Sequence, residues 1–127
     1  MAPEDVEVVQ ASMEAAEAGD AETALSCYSE DVVFYPLVAG PYHGRAGVAE
    51  QMLTWMQEFD DYWFESQEFL DAGEQVVLLW RQGGVGKASG IRVENEGATV
   101  FSVENGLINH ARAFAERAQA LEAAGLA

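Results

Sequence analysis

His43 and His110 are the only histidines in the chain, and imidazole is the ordinary side chain that takes up a proton near neutral pH. His110 stands in a run, Leu107 to Ala115, whose alternation gives two faces. One carries Ile108, His110, Arg112 and Phe114, and the other Asn109, Ala111, Ala113 and Ala115. His43 lies in a glycine-flanked loop. A proton acceptor needs a donor to work with, and Tyr35, just before Pro36, can donate a hydrogen bond to an oxyanion from an apolar site. If the chain is an enzyme, Tyr35 as donor with His110 or His43 as acceptor is the catalytic pair to look for. Histidines so far apart in sequence make no recognisable metal site. Cys27 is the single cysteine, which removes internal disulfides and cysteine-based metal sites. No Gly-x-Ser-x-Gly, phosphate loop or dinucleotide fingerprint occurs, and the glycines from Gly83 to Gly90 lack the strand-to-helix context of such sites. No metal and no cofactor is expected.

Trp55, Trp80, Phe34, Phe59 and Phe101 could stack around a planar ligand or simply fill a core. Thr99 and Phe101 share a face by period-two alternation. Arg81 follows Trp80 in an otherwise apolar strand, where it either pairs with an acid such as Glu94 or Glu96 or anchors a ligand carboxylate or phenolate. Asp60, Asp61 and Asp71 read as solvated turn acids.

The elements that must position these residues are legible from periodicity and caps. Val6, Val9, Met13 and Ala16 fall at helical spacing, with Pro3, Glu4 and Asp5 suited to a helix start. Gly19 suits the left-handed residue that ends this helix, and Asp20 the cap of a second, about Ala21 to Tyr28. Ser29-Glu30-Asp31 turns into a strand, Val32 to Pro36. A third helix, about Arg45 to Phe59, carries Val48, Met52, Trp55, Met56 and Phe59 on one face. The period then changes to two. Strands are predicted at Tyr62 to Leu70, Val76 to Trp80 (buried on both faces), Ile91 to Val103 and Leu107 to Ala115. A turn at Asp71 to Glu74, a glycine-rich crossover at Gly83 to Gly90 and a tight hairpin at Glu104-Asn105-Gly106 separate them. A short helix, Glu116 to Ala124, ends at Gly125. This order implies an α+β fold, a cone in which three helices from the N-terminal half pack on a curled, mostly antiparallel sheet.

Composition sets the outer bounds. The chain has 127 residues, the size of one domain spanning 1–127. Half of its residues are apolar, which argues against disorder. No apolar run approaches the ~20 residues of a membrane span, and the acidic Met1 to Asp5 segment lacks the positive charge of a signal peptide. A soluble, cytoplasmic protein is expected. With 22 acidic against 6 basic residues, nucleic acid and anionic lipid are excluded as partners.

Val8-Val9-Gln10 through Ala18-Gly19-Asp20, then Tyr28 to Pro36, resembles the opening of SnoaL-like proteins. These belong to the nuclear transport factor 2-like superfamily, with ketosteroid isomerase and polyketide cyclases. Gly40 to Val48, Phe69 to Gly73 and Asn105 to Ile108 are similar to further turns of that family. The resemblance implies a cone whose cavity takes a small hydrophobic molecule, aromatic or carbonyl-bearing, and whose enzymes are cofactor-free cyclases or isomerases. It also implies that Ala111 and Ala113 point into the cone, that His110 and Arg112 lie on the outer face, and that Tyr35 stands at the cone mouth. The catalytic places of ketosteroid isomerase are held here by Ser12, Tyr35-Pro36 and Thr99, so isomerisation by its usual carboxylate mechanism, a worked case of pKa tuning, is not expected.

Two readings follow. Tyr35, Trp55, Trp80, Thr99 and Phe101 line a pocket under the third helix that binds a small hydrophobic molecule. Alternatively, the domain is a non-catalytic dimerisation or protein-interaction module. Under either reading a homodimer is expected through an outer sheet face bearing Phe114, Arg112 and His110.

Overall fold

The computed structural model describes residues 3–38 and 40–126. The single-domain reading over 1–127 also spans Met1, Ala2, Ala39 and Ala127, which lie outside the described residues. In chain order the elements are helices α1 (Pro3–Glu17) and α2 (Ala21–Ser26), strands β1 (Tyr28–Tyr35) and β2 (Tyr42–His43), helix α3 (Gly44–Glu58), strands β3 (Phe59–Asp71), β4 (Gln75–Gly86), β5 (Arg92–Glu104) and β6 (Leu107–Phe114), and helix α4 (Arg117–Ala123). The strands form one sheet in the order β2-β1-β6-β5-β4-β3. Every pairing is antiparallel except β1 with β6. The fold is α+β with a curled, mostly antiparallel sheet, as the sequence implies.

Local chemistry explains the joints. Gly19 has φ 84°, a left-handed conformation that a Cβ would oppose. The Asp20 carboxylate accepts the Thr23 N–H at 3.1 Å, capping α2, and Thr23 holds this carboxyl below its usual range. Asn105 (φ 54°) and Gly106 (φ 78°) take the two positive-φ positions of a tight hairpin between β5 and β6. The second helix stops at Ser26 and Tyr28 already belongs to β1, because the buried Tyr28 joins the main core with Val9, Val32 and Leu78.

Alternation along β4 divides the molecule. Val76, Leu78 and Trp80 face the helices α1–α3 in the main core. Val77 and Leu79 face the opposite way, into a second cluster with Ala98, Val100, Phe114, Ala120 and Leu121. Helix α4 thus lies on the outer face of the sheet and covers the apolar surface there. Arg117 fixes it, donating from Nε to the Gly97 carbonyl at 3.1 Å and from Nη2 to the Trp80 carbonyl at 2.9 Å.

Four expectations need correction. Ser29, Glu30 and Asp31 are not a turn before the first strand; they belong to β1. Gly83, Gly84 and Gly86 are not a crossover; they continue β4, paired to β3 and β5. The strand needs them because the Trp63 indole lies on Gly83, where a Cβ would come within 2.7 Å of its Nε1. Asp60 and Asp61 lie within β3, where Asp61 (φ 52°) sits at a register shift between Asp60 and Trp63. A further shift makes Asn109 an extra residue in β6. This bulge turns Ile108 into the main core, away from the face of His110 and Arg112, because one inserted residue reverses the alternation beyond it.

Gly97 is the tightest point of this packing. A Cβ there would stand 2.6 Å from the Phe114 carbonyl oxygen and 2.8 Å from Trp80 Cη2. Backbone cannot retreat as a flexible side chain can, so Gly97→Ala is expected to destabilise the fold by about 1–3 kcal/mol. Urea unfolding checks this, and an unchanged midpoint would refute the close packing of Trp80 on Gly97.

Candidate functional site

Helices α1 and α3 and the concave face of the sheet enclose a cavity of about 560 Å³. Trp55 from α3, Trp80 from β4, and Thr99 and Phe101 from β5 line it together. Alternation brings them there, since Trp80 stands opposite Gly97, Leu78 opposite Thr99 and Val76 opposite Phe101 in the β4–β5 ladder. Aromatic edges meet at tilted angles along the wall, with Trp55 and Phe59 at 5.2 Å and Phe64 and Trp80 at 5.8 Å between centroids. Ala113, which pairs with Thr99, leaves room beside it.

Tyr35 is not part of this wall. Its neighbour Phe34 lines the cavity, and alternation sends Tyr35 to the other face of β1, where it is 38% exposed. There it meets His110 with ring centroids 5.4 Å apart. The Arg112 guanidinium lies 6.0 Å from the Tyr35 ring and 5.2 Å from the Phe114 ring. Tyr35 and His110 are thus brought together, but away from the cavity. His43 is exposed and occupies the N-cap position of α3 without a side-chain capping bond. Arg81 also faces outward, bonded to Glu94 and 3.6 Å from Glu65, whereas Glu96 lies 3.8 Å from Arg117. It belongs to a surface ion-pair group, not to a ligand anchor.

Two hydrogen-bonded pairs stand among the polar groups of the cavity, which also include Gln51 and Tyr28. Trp80 Nε1 donates to Thr99 Oγ1 at 2.9 Å, and the Tyr62 hydroxyl donates to Gln82 Oε1 at 2.8 Å. Burial pushes the Tyr62 phenol up to about 12, an effect that the adjacent Trp55 indole partly offsets. That indole does not reach hydrogen-bond geometry, and its buried Nε1 has no partner. Tyr28, deeper in the wall, is likewise pushed up to about 12 by burial, with the Ser12 side chain opposing the shift. Ser12 donates to the Ala24 carbonyl at 2.9 Å and ties α1 to α2. No histidine, lysine or arginine lines the cavity among the described residues, and the one carboxylate, Glu17, sits exposed at its mouth, accepting from Ser66 at 2.7 Å.

Sequence reasoning missed Tyr62 and Gln82. Gln82 follows Val76, Leu78 and Trp80 at period two, but the glycines after it disguised the strand. Tyr62 opens the expected strand Tyr62 to Leu70 and alternates with Phe64, so period two already placed it on the face of Phe64.

A sequence model of the SnoaL-like domain matches residues 9–111. Among curated proteins no sequence matches. Solved structures of similar fold include an NTF2-like protein from Burkholderia thailandensis, with a TM-score of 0.82 and 21% identity over 93% of this chain and 95% of that one. An NTF2-like protein of unknown function from Burkholderia pseudomallei gives 0.79 and 19% identity, over 96% of this chain and 97% of that one. TerC, co-crystallised with polyporic acid, gives 0.77 and 17% identity, over 96% and 98%. At these identities the likeness is one of fold.

The raised phenols carry a stability signature. Both rise from an ordinary 10.0 to about 12 on folding, so above pH 10 the folded chain holds protons that the unfolded chain has released. Stability must then fall as pH rises, being complete below pH 10 and lost between 10 and about 12. Urea unfolding from about pH 9 upward is expected to show this decline, and Tyr62→Phe to lessen it. A flat profile in the parent protein would contradict the burial of both hydroxyls.

Proposed function

The chain belongs to the SnoaL-like family, and from that membership and its cavity we propose that it binds a small hydrophobic molecule, aromatic or carbonyl-bearing, under α3. The observation that carries this reading is the 560 Å³ cavity with Trp55, Trp80, Thr99 and Phe101 on one wall. Ligand pockets of this size are mostly apolar with a few placed polar groups, and here those groups include the Trp80–Thr99 and Tyr62–Gln82 pairs, Gln51 and the Trp55 indole. Tyr35 and His110 face away from the cavity and take no part in the reading. The similarity to a protein co-crystallised with polyporic acid supports an aromatic occupant.

The test is calorimetric binding of polyporic acid and a panel of aromatic polyketides and enolisable ketones. Ala113→Phe fills the space beside Thr99 and is expected to weaken binding by at least about tenfold, since a filled site excludes ligand atoms outright. The double variant His43→Ala with His110→Ala is expected to bind as the parent does. Turnover of a bound compound would make this a cofactor-free cyclase or isomerase; recovery of the compound unchanged would make it a binding domain. Full affinity in Ala113→Phe would move the ligand out of this cavity.

A second reading rests on the part of the outer sheet face that α4 leaves open. Tyr35, His110, Arg112 and Phe114 cluster there, with the guanidinium between two rings. We propose that a second copy of the chain packs on this cluster as a homodimer. Sedimentation at micromolar concentration is expected to give twice the chain mass, and Arg112→Glu to shift it toward the monomer. A monomeric parent protein would remove this reading.

A further inference from the structure

We propose that the Gln82 carboxamide selects the ligand, its Nε2 donating to the carbonyl oxygen of a neutral, planar aromatic ketone, with Tyr62 as the positioning residue. This deepens the cavity reading above and rests on it.

Gln82 is 6% exposed and lines the cavity from β4. Buried Ser12 donates to the Ala24 carbonyl and buried Thr99 accepts from the Trp80 indole, while the Trp55 indole Nε1 and Asn109 Oδ1 are buried without a partner among the described residues. Gln82 is half satisfied. Its Oε1 accepts from Tyr62, and its Nε2 has no partner among the described residues. That nitrogen is not one of the fully buried unpartnered atoms, so it is a donor open to the cavity that Gln82 lines, where a ligand oxygen can accept from it.

The orientation of the amide follows from its neighbours. The Tyr62 hydroxyl donates to Gln82 Oε1 at 2.8 Å, which leaves Nε2 as the amide's unused donor. The register shift at Asp61 sets this up, because it brings Tyr62 onto the face of Phe64, and Phe64 pairs with Gln82.

Charge then narrows the ligand class. Among the described residues no cation lines the cavity, and Tyr62 keeps its proton well above neutrality. A carboxylate would be buried without a counter-charge, whereas a ketone asks only for a donor.

The experiment compares fluorenone, fluorene and fluorenecarboxylate by calorimetry on one planar scaffold. The parent protein is expected to bind fluorenone about five- to tenfold more tightly than fluorene, the worth of one neutral hydrogen bond, and to reject the carboxylate. Gln82→Met should keep the fluorene affinity and abolish the preference. Tyr62→Phe keeps the ring but frees the amide, and should lose most of the preference while fluorene binding again reports an intact cavity. A preference unchanged in either variant overturns the proposal and leaves the cavity reading standing. Failure of the parent protein to bind any of the three overturns both.

Discussion

The packing of Trp80 on Gly97 is the contact on which the rest of the molecule depends. One face of the indole closes over a backbone that has no Cβ, its Nε1 donates to Thr99 on the next strand, and its own carbonyl is held from the other side by Arg117. A single residue therefore joins the cavity wall, the β4–β5 ladder and the outer helix. An indole with its N–H satisfied is a rigid, apolar panel, and a panel fixed at both edges is what keeps a cavity of this size from collapsing. The small side chains opposite, Ala113 and Ala16, leave the volume unfilled.

How much of this was legible in the chain depends on how each feature is encoded. The order of the helices and of the long strands and the hairpin at Asn105-Gly106 are local signals, written in periodicity and in positive-φ residues, and they agree with the structure, while several element ends do not. Trp55, Trp80, Thr99 and Phe101 could be grouped because alternation and helical spacing place them without any knowledge of the tertiary contacts. Tyr35 was misplaced by the same alternation, since with Phe34 facing the core its neighbour has to face out. The bulges at Asp61 and Asn109 could not be read, because a one-residue insertion in a ladder is a property of two strands together. The glycines of β4 misled for a related reason. They look like a loop until the Trp63 indole that covers Gly83 is in place.

The distribution of charge separates the two faces. Acidic residues outnumber basic ones 22 to 6, yet the arginines are placed with care. Arg81 and Arg117 lie among carboxylates on the outer side, Arg45 donates from Nε to the Tyr28 carbonyl at 2.7 Å, and Arg112 sits between two aromatic rings. Exposed pairs of this kind add little to stability. Their effect is to hold cationic groups on the surface, so that the interior keeps only neutral donors.

Helix α4 changes what the outer face can do. An antiparallel sheet with apolar side chains on both faces has to cover the second one, and a partner subunit is one way. Here Ala120 and Leu121 already cover Val77, Ala98 and Val100. The open remainder near Tyr35 and Arg112 is small and mixed in character, so any contact between copies would centre on the β1–β6 end of the sheet. That end is also where Phe34 and Tyr35 part to opposite faces. A contact on the outer side would bear on the strand whose inner side forms the cavity wall, and the two readings of this domain therefore meet at β1.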